Sequence, residues 1–208
     1  MKVSALMYWM KITGIHNRIY IVPRVYVYLA ILFMLLPVKW VFAAITAALT
    51  HEFGHIIALK SFGLPLERIE IDLSGAIIKS TCMCSTQEML CAIAGPALGL
   101  LTMLTARGYP ELIICCFVQT AFNLIPILPL DGGRILAGVI SWIFPQNIAE
   151  RVIDCICVIF LLIMTFGAFI VTVNRTAGIL PLAVVVLVAI KYWQYKNSLQ
   201  RCCEQCTI

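Results

Sequence analysis

Charge is scarce in this sequence. Asp, Glu, Lys and Arg make up 12% of its 208 residues, against about 25% in soluble globular domains. A water-facing fold of this length exposes a large share of its surface and needs polar groups to cover it. That scarcity excludes an ordinary soluble domain. Histidine is scarcer still, with three residues in the chain. A secretory leader is not expected either, because Lys11, Arg18 and Arg24 interrupt the first 24 residues before any long apolar run. No stretch between apolar segments is long enough for a second folded domain. The residues around 61–85 fall far short of the ~80–100 that a small inserted domain needs.

Apolar residues fill the space instead. The chain is 62% hydrophobic, with a mean hydropathy of +0.99. A helix needs about 20 mostly apolar residues to cross a bilayer. Six such stretches are readable, at about 20–37, 40–60, 86–106, 111–129, 152–173 and 177–193. Pro23 and Arg24 interrupt the first, and Pro126 and Pro129 shorten the fourth. The expected fold class is therefore an all-α polytopic membrane protein of about six transmembrane helices. It would carry a short cytoplasmic-side β-hairpin or re-entrant loop between the second and third. Residues 1–19 read as a cytoplasmic arm, 20–193 as the transmembrane domain and 194–208 as a cytoplasmic tail.

Basic residues orient the chain. With six spans, every Lys and Arg except Lys39, Arg107 and Arg175 falls on one side, twelve of fifteen. Both termini are then cytoplasmic. The net charge of +5 is a product of topology and does not point to nucleic acid. Of the ten cysteines, Cys82, Cys84, Cys202, Cys203 and Cys206 face the reducing compartment, so no disulfide framework is expected. The tail cysteines read as a solvated, reduced tail rather than a soft-metal site.

Chemistry is concentrated in two places. The first is His51-Glu52-Phe53-Gly54-His55 inside the second span. On a helix, residues four apart lie about 40° apart in azimuth and ~6 Å apart in rise. His51 and His55 therefore project from one face and can share a metal, with Glu52 as general base. A surface helix carrying two chance histidines is the plain alternative. Against it, each charged group at a helix centre costs about 2.5–3.5 kcal/mol on the insertion scale, and ionisable residues at that depth mark function. Zn²⁺ suits neutral imidazoles and stabilises an ionised Glu52 beside it.

The second place is Asn123-Leu124-Ile125-Pro126-Ile127-Leu128-Pro129-Leu130-Asp131-Gly132-Gly133 at the end of the fourth span. Pro126 and Pro129 break the helix, and Gly132 and Gly133 allow an abrupt change of direction. Broken backbone at membrane depth is tolerated where it is buried or lines a wet cavity. A catalytic zinc usually has three protein ligands. Among the remaining acidic residues, Asp131 stands apart by this context. An ordinary helix end with a turn would explain the prolines and glycines, but not the Asp and Asn beside an apolar run.

Together, the two motifs resemble those of the site-2 protease family of intramembrane metalloproteases, over roughly residues 38–138. The resemblance implies His51, His55 and Asp131 as zinc ligands, Glu52 as catalytic acid/base, and Asn123 near substrate or metal. Ala94-Gly95-Pro96 matches a further family run and reads as small-residue helix packing. The short chain, the six spans and the cytoplasmic-side active site resemble most the minimal bacterial subgroup of the stage IV sporulation protein FB type, and the loop at about 61–85 is too short for the PDZ domain that other members carry. That subgroup implies a bacterial cell membrane, a membrane-associated protein substrate such as a sporulation sigma-factor precursor, and a lipid bilayer around the site. Membrane inhibitor or regulator proteins and a homo-oligomer stay open.

Between the second and third spans, Ile69, Ile71 and Leu73 alternate with Glu70 and Asp72, and Ser74-Gly75 marks a turn into Ala76-Ile77-Ile78. Such a hairpin could hold an unwound substrate by strand addition, with Gly75 at the substrate. An ordinary surface hairpin is the alternative. His16 fits no metal spacing, and Arg134 reads as a boundary residue. A membrane protease of the prenyl-peptide type would take a Glu as third ligand, and a non-enzymatic transporter or metal-binding scaffold would need no Glu52.

Overall fold

Two glycines decide how the first long helices meet. The computed structural model describes residues 19–21, 30, 32–64, 66–72, 75–80, 84–174, 178 and 180–205. Helix α1, Val38–Ser61, begins after Pro37. It ends where Gly63 takes a left-handed φ of 68°. There Leu64 N–H donates to Leu59 O at 3.1 Å and Gly63 N–H to Lys60 O at 3.0 Å, a Schellman closure that satisfies the last carbonyls. Helix α2, Ser85–Thr105, contains Pro96. Its start is fixed by Cys84 N–H donating to Gln87 Oε1 at 3.2 Å.

The buried stripe of α1 includes Ala43, Ala47, His51, Gly54 and His55. That of α2 includes Cys91, Ala92, Gly95, Pro96 and Gly99. Small residues at helical spacing let two backbones approach closely. A Cβ on Gly54 would lie 2.4 Å from Ala94 O and 2.9 Å from Gly95 Cα. Ahead of α1, Phe33 packs edge-on against Phe42, with ring centroids 6.3 Å apart.

Three short strands accompany these helices: β1 Ile19–Ile21, β2 Leu66–Asp72 and β3 Gly75–Ser80. β2 and β3 pair antiparallel, with Ile69 opposite Ile78 and Asp72 opposite Gly75. β1 pairs parallel with the other side of β2, Ile19 opposite Ile69. Tyr20 and Ile21, at the start of the expected first span, are strand residues. The Ile-Tyr-Ile run suits a strand, being β-branched and aromatic. The rest of the arm with His16, and residues 22–29 and 31 of that span, lie outside the described residues. So do Leu73 and Ser74 of the turn, and Cys82. These strands and the helices up to Ala121 form one unit, and Phe122–Ile208 forms another.

Helix α3, Pro110–Asn123, ends at the second motif. Its 14 residues are shorter than the 111–129 span expected, because residues 124–130 leave the helix ahead of Pro126 and Pro129. Helix α4, Asp131–Ile143, comes immediately after that segment, where the sequence suggests only the end of a span. Pro145 separates it from helix α5, Gln146–Val173, and holds Phe144 extended as a residue before proline must be. Helix α6, Leu180–Gln205, runs well past residue 193, so the expected tail is helical over most of its length. Leu128, Ile140, Ala149, Ile153 and Cys157 form the buried core of this unit, with Tyr192 and Tyr195 of α6 packed on it. Asp154 joins α5 to α6 by accepting from Tyr192 OH at 2.8 Å and pairing with Lys196.

Among the described residues, three helices are long and apolar enough to cross a membrane: α1, α2 and α5. They match the expected second, third and fifth spans. The protein is an integral membrane protein, and most of the α5 surface is apolar and exposed, with Leu162, Phe166 and Val173 each more than half accessible.

Replacing Gly54 by Ala forces the α1 and α2 backbones apart. Overpacking of this kind costs about 1–3 kcal/mol, so a lower unfolding midpoint in detergent is expected. Gly108→Ala, where an added Cβ meets nothing within 4 Å, should leave the midpoint unchanged.

Candidate metal centre

The two imidazoles of α1 are among the most enclosed polar groups of the protein. His51 is 2% and His55 7% exposed. Their rings meet edge-on, centroids 4.9 Å apart. His55 Nδ1 lies 2.8 Å from Cys91 O. A carbonyl only accepts, so Nδ1 carries the proton and Nε2 presents a lone pair. Backbone support of this kind fixes the tautomer of a metal-binding histidine. The Cys91 thiol in turn lies 3.8 Å from His55 O, which doubles the link between the helices.

His55 Nε2 and His51 Nε2 are 3.2 Å apart. Two nitrogens bound to one tetrahedral zinc at about 2.05 Å sit about 3.3 Å from each other. The pair therefore fits a shared zinc ion without rearrangement. Gly95 makes this possible, since a Cβ there would lie 2.3 Å from His55 Nε2 and 3.0 Å from His51 Cε1. Glu52, next to His51 on α1, is half-buried.

In the second unit, Asp131 is the first residue of α4 and 7% exposed. The chain reaches it through tight turns, Ile127 N–H donating to Ile125 O at 2.8 Å and Leu130 N–H to Ile127 O at 2.9 Å. Gly132 and Gly133 sit in close contact with that loop. A Cβ on Gly132 would lie 2.2 Å from Leu124 O, and one on Gly133 2.5 Å from Leu128 N. Asp131 thus opens a helix, where the N-terminal dipole favours a carboxylate, whereas the sequence suggests that it closes one. Asn123, the last residue of α3, and Arg134 are half-buried, and Gly75 begins β3 opposite Asp72.

Comparison with known proteins accords with this chemistry. Residues 109–167 match Peptidase family M50. A zinc metalloprotease of Methanocaldococcus jannaschii is 30% identical over 129 residues, 55% of this chain and 36% of that protein. A Synechocystis sp. protein that carries the zinc metalloprotease name is 30% identical over 123 residues, 49% of this chain and 32% of its own length. The fold superposes on the site-2 protease of M. jannaschii with a TM-score of 0.57, at 22% identity, over 82% of this chain and 84% of that one.

The chain has the fold of a site-2 protease, and its residues 109–167 match a zinc-peptidase family. It spans about a third of the length of the curated relatives it matches. His51, His55 and Asp131 are each of a type that zinc accepts, two imidazoles and a carboxylate, and all three are buried. Two contributors to the geometry of the histidine pair escape the sequence patterns. One is the Cys91 carbonyl, which no side-chain pattern can announce. The other is Gly95, which reads as packing alone, although the Gly95–Gly99 spacing is a signal for a helix face that something approaches closely.

Replacing Gly95 by Ala should displace His55 and abolish zinc retention during purification. Metal analysis beside Gly167→Ala, a helical glycine with open space around it, checks this. Full zinc in the Gly95 variant would contradict the steric argument.

Proposed function

We propose that this chain is an intramembrane zinc metalloendopeptidase that hydrolyses a peptide bond in or near the membrane segment of a membrane-associated protein. The observation that carries the reading is the His51–His55 pair, with Nε2 atoms 3.2 Å apart. Asp131 completes the donor set in this proposal. Its buried carboxylate supplies the third protein ligand that a catalytic zinc needs.

When bound, zinc supplies a Lewis acid that polarises the scissile carbonyl and acidifies water. Glu52 is the proton carrier. Its carboxylate accepts the proton of the attacking water and delivers it to the leaving amine. The buried imidazoles and Asp131 keep the metal in a low-dielectric setting, where its charge acts most strongly on the reaction. Asn123 contacts substrate beside the metal.

A substrate helix hides its peptide bonds, so it must be extended before cleavage. Among the described residues β3 pairs on one side only, with β2, which supports strand addition at its outer edge from Gly75 onward. Six spans with both termini cytoplasmic, in a bacterial cell membrane, complete the reading. It makes release of a transcription regulator, such as a sporulation sigma factor from its precursor, the biological output.

Zinc content and proteolysis measured together on purified wild type, Glu52→Gln and His51→Ala test the enzyme. About one zinc per chain is expected in the first two, cleavage of single-span or membrane-tethered substrates only in wild type, and neither zinc nor cleavage in His51→Ala. Loss of zinc in Glu52→Gln contradicts the division of roles. Zinc in both with no cleavage by wild type, across a panel of substrates, favours a metal-binding scaffold. For the strand edge, Ile77→Pro should retain zinc and slow turnover, and unchanged turnover removes that part of the proposal.

A further inference from the structure

Cys157 has no place in the mechanism above, yet it is fully buried. It lies on α5 beside the irregular segment that leads to Asp131. Leu128 N–H donates to its sulfur at 3.5 Å. The thiol lies 3.9 Å from Pro126 O, to which it donates. One side chain thus bonds both ends of a three-residue stretch of backbone. Pro126 and Pro129 prevent that stretch from satisfying itself as helix, and unpaired backbone is costly at membrane depth.

The segment is confined from the other side too. The first turn of α4 presses Gly132 against Leu124 and Ile125, and Gly133 against Ile127 and Leu128. Leu128 and Cys157 share one core with Ile140 and Ile153. One turn before Cys157, Asp154 fastens α5 to Tyr192 and Lys196 of α6. The thiol is therefore mounted on a helix held at its back. A displacement at Leu128 passes to Leu130 through its bond to Ile127 O, and Asp131 is the next residue.

We propose that Cys157 is a positioning residue for Asp131, its thiol holding the Pro126–Leu128 backbone in the geometry that aims the carboxylate. This rests on the reading of Asp131 as a metal ligand. Supporting groups behind a ligand typically contribute 10–100-fold to metal affinity.

Zinc affinity, measured by chelator competition on the full chain in detergent, tests it with Cys157→Ser, Cys157→Val and Asp131→Ala. Ser keeps a donor and an acceptor but loses volume. Val keeps volume and loses both. Affinity near wild type for Ser and about 10-fold weaker for Val is expected, with Asp131→Ala weaker still. A packing role alone reverses the order of Ser and Val. Val at wild-type affinity while Asp131→Ala is weakened overturns the inference and leaves Asp131 as a ligand. Asp131→Ala at wild-type affinity removes the ligand reading, and this inference with it.

Discussion

The close approach of α1 and α2 is the constraint on which the site depends. Gly54 allows the helix backbones to come within contact distance at Ala94 and Gly95. That approach brings the Cys91 carbonyl within 2.8 Å of His55 Nδ1. It also leaves room at Gly95 for two rings that would collide with any side chain. Lipid tails offer helices no hydrophobic reason to associate, so close packing and buried hydrogen bonds must hold them. Here the same contacts that join the helices orient the imidazoles.

The second unit solves a different problem. A buried carboxylate needs a backbone stiff enough to hold it, yet the segment before Asp131 is broken by two prolines. Glycines on one flank and a thiol on the other confine that segment without adding charge. Opening α4 at Asp131 places the carboxylate where a helix dipole favours it, an advantage it would lose at the end of a helix.

Legibility in the sequence depends on the range of the signal. The helices α1, α2 and α5 are readable because each is a long apolar run. The histidine pair is readable because its spacing lies within one helix. The start of α4 is not, since prolines and glycines announce a break but cannot announce the new helix beyond it. Phe144-Pro145 is the local cue for its far end. The strand at Ile19–Ile21 merges into an apolar run because three residues are too few for a period to show, and its partner is remote in sequence. The roles of Cys91 and Cys157 depend on backbone atoms they meet in space, which no residue pattern encodes.

The parallel pairing of β1 with β2 bears on the order in which the molecule is made. Ile19 finds its partner Ile69 about fifty residues later in the chain, and α1 lies between them. Loop closure over that distance goes unrewarded until β2 has been synthesised. The β2–β3 hairpin, by contrast, can close from neighbouring residues alone. The sheet therefore forms in two stages, a local one and a late one that comes after the emergence of α1. The joining of β1 therefore follows the synthesis of helix α1.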